Sequence, residues 1–124
     1  MIFGIGTDMV EISRIQKAIE KNPRFLQKVY TEKEIAYYQR KRNPWQSFAA
    51  RFAAKEAVSK AMGTGLGRIG LTDIEVLNQS SGQPQVILHG AAQIFATEHG
   101  FVRVHISLSH SEAYAIATAI IEEE

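Results

Sequence analysis

The sequence contains no cysteine. This absence excludes a disulfide framework, a thiolate nucleophile and a cysteine zinc site, and it fits a protein of a reducing compartment. No run approaches the roughly 18 apolar residues of a membrane span. The first ten residues carry Asp8 and lack the basic n-region of a signal peptide. We therefore expect a cytoplasmic protein with no membrane segment.

Linkers, internal repeats and low-complexity segments are also absent from the 124 residues, of which 45% are hydrophobic. A single domain over residues 1–124 with a small core is the expected organisation. Alternation of apolar and polar residues predicts strands over 2–10, 71–78, 84–88, 102–109 and 114–121. Periodicity and end signals predict helices over about 12–21, 31–42, 44–62 and 91–99.

The longest predicted helix runs into a loop in which Gly63, Gly65 and Gly67 alternate. Such spacing lets backbone N–H groups approach an anion, although a helix C-cap explains Gly63 equally well. The loop closes a helix, whereas a Rossmann loop opens one, and the Gly-Lys-Ser/Thr ending of a Walker loop is missing. The glycines therefore match neither common nucleotide fingerprint.

Three polar residues, each in a segment that contains or precedes glycines, suggest chemistry. Glu56 and Lys60 stand one helical turn apart, where an ordinary surface ion pair is the alternative. In the first strand, Gly4 and Gly6 line one face that ends at Asp8. Strand glycines mark the close approach of another backbone or of a ligand. Asp8 is thus placed either to receive a metal or to cap the next helix.

The formal net charge of +1 hides an asymmetry between the two halves of the chain. Residues 1–62 hold 12 lysines and arginines against 6 acidic residues, a balance of +6, and residues 63–124 hold 2 against 7, a balance of −5. A series of cations around the apolar Phe25 forms either a solvated face or a surface for an acidic partner, of which nucleic acid is only one candidate. The series consists of Arg14, Lys17, Lys21, Arg24 and Lys28.

The two final strands carry the clearest alternation. His105, Ser107 and Ser109 fall together on the polar face of the first. No acidic partner for a Ser-His-Asp arrangement is evident near them, so we do not predict a serine hydrolase. His105 is either structural or functional.

Four motifs follow one another over nearly the whole chain: Gly4-Ile5-Gly6-Thr7-Asp8 with Glu11, Arg51-Phe52-Ala53-Ala54-Lys55-Glu56-Ala57 with Lys60, Gly63-Thr64-Gly65, and His105-Ile106-Ser107. Together they resemble the bacterial holo-[acyl-carrier-protein] synthases. The Phe-Ala-Ala-Lys-Glu-Ala core with a following lysine is typical of phosphopantetheinyl transferases, and the small single domain indicates the carrier-protein synthase branch. The resemblance implies an α+β fold with helices packed on a mainly antiparallel sheet of about five strands, which agrees with the predicted elements.

The resemblance also implies a reaction. It is Mg²⁺-dependent transfer of 4′-phosphopantetheine from coenzyme A to a serine of apo-acyl carrier protein, with release of adenosine 3′,5′-bisphosphate, in fatty acid biosynthesis. Attack on a pyrophosphate phosphorus builds charge on oxygen atoms, so a divalent cation and cationic side chains matter more than a covalent nucleophile. Asp8 and Glu56 are the expected Mg²⁺ ligands and, with Lys60, the catalytic residues. The serine proton goes to a metal-bound water or to Glu56.

Members of this family are expected to form homotrimers with coenzyme A in clefts between subunits. The implied coenzyme A contacts are Arg51, Lys60, Gly63, Gly65, Gln83, Pro84, His105 and Ser107. The acidic helix of the carrier protein is expected on Arg14, Lys21, Arg24, Phe25 and Lys28, which accounts for the charge asymmetry without nucleic acid. A candidate surface for trimerisation is the alternating set Ala115, Ala117, Ala119 and Ile121.

Two functions from other classes are the alternatives. A non-catalytic module that binds an acidic partner or RNA leaves Asp8, Glu56 and Lys60 without a role, and the strands lack the interleaved aromatics of an RNA platform. A metal-dependent hydrolase of nucleoside pyrophosphates uses Asp8 and Glu56 with water as the acceptor.

Overall fold

The computed structural model of the protein describes residues 1–63 and 69–124. In chain order, the elements are β1 Ile2–Glu11, α1 Ile12–Lys21, α2 Pro23–Val29, α3 Glu32–Gln39, α4 Pro44–Met62, a 3₁₀ turn Leu71–Asp73, β2 Ile74–Asn78, β3 Pro84–Leu88, α5 Gly90–Glu98, β4 Phe101–His110 and β5 Tyr114–Glu123. None of the described helices combines the length and the hydropathy that crossing a bilayer requires.

The strands pair antiparallel throughout the described residues. β5 is the central strand of a three-stranded sheet in the order β1-β5-β4, and β2 and β3 form a separate hairpin. The predicted α+β fold with five strands is confirmed, with the difference that the strands divide between these two sheets.

Local signals set the helix ends. Asn43 caps α4 by accepting a hydrogen bond from the backbone of Gln46, and Gly63 ends the helix in the left-handed region at φ 77°. Thr31 and Glu34 form the predicted capping box of α3. That helix ends at Gln39, three residues before the predicted end.

Two glycines determine how closely α4 packs on β1. A Cβ atom at Gly4 would lie 1.9 Å from the carbonyl oxygen of Ala61, and one at Gly6 would lie 1.9 Å from that of Ala57. The predicted close approach of another backbone to the glycine face is therefore confirmed. The small alanines of α4 complete this contact, because larger side chains would hold the helix away from the sheet.

The core lies between α4 and the inner face of the three-stranded sheet. All four members of the candidate trimerisation set are fully buried. Ala117, Ala119 and Ile121 belong to this core, and Ala115 belongs to a second buried cluster. Side chains buried in this way offer no surface to another subunit. The opposite face of the sheet exposes apolar side chains, because alternate residues of a strand point to opposite sides. They include Ile5, Met9, Tyr114 and Ile116.

Candidate active site

β1 and α4 bring Asp8 and Lys60 into contact. Lys60 Nζ donates a hydrogen bond of 3.1 Å to Asp8 Oδ1 and another of 3.0 Å to the carbonyl oxygen of Thr7. The side chain of Asp8 is 18% exposed and that of Lys60 is 56% exposed, so solvent reaches both groups. The alternative role of Asp8 as a helix cap was wrong, because Glu11 occupies the N-cap position of α1.

Glu56 lies close enough to Asp8 for the two carboxylates to repel each other. Burial and the charge of Asp8 raise the pKa of Glu56 above its ordinary value, and Lys60 offsets only part of this effect. A divalent cation between the two carboxylates would remove the repulsion. No group of three or more potential ligands for a metal is found in residues 1–63 and 69–124. Two carboxylates nevertheless fit Mg²⁺, which takes its remaining ligands from water and phosphate oxygens.

A groove of about 460 Å³ begins at these carboxylates. Asp8 and Glu56 line one part of it, and α1 and α2 contribute Arg14 and Phe25 to the rest. Phe25 stacks on Phe52 of α4 with ring centroids 6.2 Å apart. The structure thus places two residues of the predicted partner surface beside the predicted catalytic residues. The other three, Lys21, Arg24 and Lys28, are exposed on the same two helices.

A second groove, of about 560 Å³, lies between β3 and β4. Gln83, Pro84 and His105 line it together, so three of the predicted coenzyme A contacts converge although they come from distant parts of the sequence. Ser107 is exposed two positions further along β4. Among the described residues, none lines both this groove and the one at Asp8. In a single chain, these three predicted coenzyme A contacts therefore lie in a different groove from the predicted metal ligands Asp8 and Glu56.

His105 has an acidic partner that the sequence analysis missed. Its Nε2 atom hydrogen-bonds to Glu122 on the neighbouring strand β5. This bond holds the pKa of the Glu122 carboxyl below its usual value. The two residues lie 17 positions apart. Only the register of β4 on β5 brings them together, and the sequence carries no local signal for it.

Arg51 faces the β2–β3 hairpin. Its Nη2 atom donates a 2.8 Å hydrogen bond to Asn78 Oδ1, and its guanidinium lies 5.4 Å from the ring centre of Tyr38. Its Nε atom is buried without a hydrogen-bond partner in the part of the chain that the structure describes. A ligand phosphate would satisfy such a donor.

Of the two predicted glycine contacts, the structure describes Gly63, which ends α4. The amide of Gly63 donates to the carbonyl oxygens of Ser59 and Lys60, so the helix-cap interpretation of this glycine is confirmed. Gly65 lies outside the described residues.

Lys55 stands in the middle of the same motif but does not reach solvent. Its side chain is fully buried and donates a 2.8 Å hydrogen bond to the equally buried Glu34. No signal in the sequence links these residues, because 21 positions separate them. The lysine of the motif thus belongs to the interior, and the predicted catalytic residues Glu56 and Lys60 project elsewhere from α4.

The fold and the carboxylate pair beside Lys60 define a transferase of the 4′-phosphopantetheinyl transferase class, and comparison with known proteins agrees. Residues 4–119 match the family model described as the 4′-phosphopantetheinyl transferase superfamily. The chain is 49% identical over 117 residues to the holo-[acyl-carrier-protein] synthase of Moorella thermoacetica, covering 94% of this chain and 91% of the relative. It belongs to the holo-[acyl-carrier-protein] synthase family.

Solved structures of relatives agree with this assignment. The holo-[acyl-carrier-protein] synthase from Neisseria meningitidis is 34% identical and superposes with a TM-score of 0.92, covering 99% of this chain and 100% of that one. The synthase from Bacillus anthracis, in complex with CoA (3′,5′-ADP), is 37% identical with a TM-score of 0.83, covering 100% and 99% of the two chains.

Proposed function

We propose that residues 1–124 form one domain that transfers 4′-phosphopantetheine from coenzyme A to a serine of apo-acyl carrier protein and releases adenosine 3′,5′-bisphosphate. The reaction would supply the holo carrier for fatty acid biosynthesis in the cytoplasm. The observation that carries this proposal is the placement of Asp8, Glu56 and Lys60 at one groove with Arg14 and Phe25. A site that activates a diphosphate thus adjoins a surface suited to an acidic protein. The relative from Bacillus anthracis, described in complex with CoA (3′,5′-ADP), supports the same substrate.

Asp8 and Glu56 would hold the Mg²⁺ ion. The bound ion supplies positive charge to the diphosphate oxygens during transfer. Lys60 keeps its ammonium group beside Asp8 and largely in solvent, where it can neutralise a further diphosphate oxygen. The nucleophile is the carrier serine, so the chain needs no activated nucleophile of its own.

The coenzyme A site would form between copies of the chain in a homotrimer. Gln83, Pro84 and His105 of one copy would join Asp8 and its neighbours of another, because one chain keeps these groups in separate grooves. The exposed apolar face of the three-stranded sheet supports such an association, since it offers apolar surface to bury. The remaining predicted contacts are Arg51, Gly63, Gly65 and Ser107.

The carrier protein would dock on α1 and α2. Arg14 and Phe25 line the groove that reaches Glu56, and three further cations extend the surface outward. Opposite charge would steer an acidic helix to this surface, and Phe25 would provide an apolar anchor. The three further cations are Lys21, Arg24 and Lys28. An acidic protein partner accounts for the basic surface without nucleic acid.

The test combines the protein with Mg²⁺, coenzyme A and apo-carrier protein, and measures the mass of the carrier. A gain of one phosphopantetheine group, abolished by Asp8→Ala and by Glu56→Ala, is the expected result. Glu98→Ala, an exposed carboxylate on α5, is the matched control and should keep full activity. Breakdown of coenzyme A without carrier modification would identify a hydrolase. Carrier binding without any reaction would identify a non-catalytic module.

A further inference from the structure

Side chains, and not another of the described strands, form the hydrogen bonds to the backbone groups on the outer edge of β2. Within the described residues, β2 forms strand hydrogen bonds only with β3, which leaves its other edge to be satisfied by other groups. The backbone N–H of Val76 donates to Glu34 Oε2 over 2.7 Å, and the carbonyl oxygen of Val76 accepts from the hydroxyl of Tyr38. Both side chains belong to α3, so this helix takes the place of a neighbouring strand.

Lys55 of α4 adds hydrogen bonds along the same edge. Its Nζ atom donates to the carbonyl oxygen of Ile74, at the start of β2, and over 3.0 Å to that of Leu71 in the preceding turn. The third partner of Nζ is Glu34. Two helices therefore hold β2 through side chains that also bind each other.

Glu34 is the centre of this arrangement because its two oxygens serve three donors. Oε1 accepts from Lys55 Nζ and from the backbone N–H of Thr31, both over 2.8 Å, and Oε2 accepts from Val76. Glu34 and Lys55 are fully buried. Burial lowers the pKa of Lys55, and the charge of Glu34 opposes this change. Burial raises the pKa of Tyr38, so its hydroxyl remains a donor.

The hairpin held in this way carries part of the proposed coenzyme A site. Gln83 and Pro84 lie at the turn and at the start of β3, directly beyond β2. The hairpin belongs to a different sheet from β4, which contributes His105 to the same groove. The hydrogen bonds along the edge of β2 are therefore among the contacts that hold Gln83 and Pro84 in place relative to His105.

We propose that Glu34 is a positioning residue for coenzyme A binding, which it controls by fixing the edge of β2. The proposal rests on the proposed function, because it assigns Gln83 and Pro84 to coenzyme A. Glu34 lies inside the protein and touches no substrate. Its effect reaches the substrate only through the hairpin.

The first test is Glu34→Gln, which keeps the size of the side chain. The amide nitrogen is a donor and would face one of the three donors that Glu34 now satisfies. We expect the KM for coenzyme A to rise about tenfold, with kcat and the KM for carrier protein changed less than about twofold. Glu32→Gln, an exposed change in the same helical turn, should leave all three constants unchanged. A fall in kcat with an unchanged KM for coenzyme A would overturn the proposal, since it would indicate only a smaller folded fraction.

The double variant Glu34→Gln/Lys55→Met separates the effect of Glu34 on the position of the hairpin from its effect on the stability of the protein. Glu34→Gln alone leaves the buried Lys55 without its counter-charge, and the second change removes that charge. The thermal midpoint should recover toward the wild-type value because the unpaired charge is gone. The KM for coenzyme A should stay high, because the carbonyl oxygens of Ile74 and Leu71 have lost their Lys55 donor and the substituted glutamine cannot satisfy every donor that Glu34 satisfied. Recovery of both would overturn the proposal. If Glu34→Gln does not fold, Tyr38→Phe provides the test, because it removes a single hydroxyl from the same edge.

Amide hydrogen exchange tests the same idea without any reaction. Glu34→Gln should speed exchange at Val76 more than at the amides of the central strand β5. Equal acceleration at both, or none at Val76, would overturn the proposal. If the wild-type protein fails to modify carrier protein, the proposed function falls. The dissociation constant for coenzyme A, measured by calorimetry on both proteins, then decides the role of Glu34: a weaker value in Glu34→Gln supports it, and equal values or no binding overturn it.

Discussion

Lys60 and Asp8 are 52 positions apart and yet form a 3.1 Å hydrogen bond between α4 and β1. The bond depends on Gly4 and Gly6, which let the helix backbone lie directly against the strand. The same contact brings Glu56 near Asp8. The glycines of the first motif thus place the side chains of the second, although none of them performs chemistry.

Replacement of Lys60 by methionine should reduce kcat by about 100-fold or more, because a cation facing the developing charge is lost. The stability should change by less than about 1 kcal/mol, since the pair with Asp8 is partly exposed to solvent. Steady-state kinetics and thermal unfolding measure both quantities. Lys33→Met, an exposed change on α3, is the control. A large loss of stability with unchanged kcat would assign Lys60 a structural role.

Glu56 should make the stability of the metal-free protein depend on pH. The pKa of Glu56 is raised in the folded chain, so its contribution to stability is complete below the unfolded pKa and is lost as the pH rises through the folded value. Glutamine does not titrate. The thermal midpoint of Glu56→Gln minus that of the wild type should therefore increase from about pH 4 to about pH 7 in the presence of a chelator.

Glu98→Gln, which changes an exposed carboxylate, should show no such trend. Added Mg²⁺ should then raise the midpoint of the wild type more than that of Glu56→Gln, because the ion binds the carboxylate pair. A midpoint difference that falls as the pH rises, or an equal response of both proteins to Mg²⁺, would contradict the proposed Mg²⁺ site at Asp8 and Glu56.

Gly6→Ala should destabilise the protein by about 3 kcal/mol or more, because the added Cβ would lie 1.9 Å from the carbonyl oxygen of Ala57. Gly70→Ala is the matched control. The atoms nearest to a Cβ at that position are 3.9 Å away, and its φ of −75° suits any residue. That change should stay within about 0.5 kcal/mol. Denaturant unfolding measures both, and similar values for the two variants would refute the close packing of α4 on β1.

Charge reversal on α1 and α2 should weaken carrier binding selectively. Arg14→Glu and Arg24→Glu should each raise the KM for carrier protein about tenfold and leave the KM for coenzyme A nearly unchanged. Lys33→Glu, the same charge change on α3, should have little effect. The difference between these variants should shrink at high salt, where surface charges are screened. An equal loss of affinity for both substrates would remove these helices from the carrier site.

Ile116→Arg should disrupt the proposed trimer, because it puts a charge on the exposed apolar face of the sheet. Ile94→Arg on α5 is a matched control, since Ile94 is also exposed and lies outside this face. Sedimentation should detect a trimer for the wild type and the control, and a smaller species for Ile116→Arg. The KM for coenzyme A should rise in Ile116→Arg alone. A monomeric wild type with full activity would refute a site between subunits.

Local patterns were sufficient to predict most of the elements and to propose the catalytic residues. Asn43, Pro44 and Gly63 mark the ends of α4 within the sequence itself, and the structure places both ends where these residues predict. The motifs around Asp8 and Glu56 were sufficient to name the family. Such signals are readable because helix caps, glycine spacing and short motifs involve residues close together in the chain.

Tertiary structure decided what depends on distant residues. Alternation in β5 divides its residues between two faces but does not say which face is inside, and the position of α4 buries the alanines. The pairing of Glu34 with Lys55 and of His105 with Glu122 likewise requires the packed fold. These pairs have no sequence spacing in common, because helix packing and strand register bring their residues together.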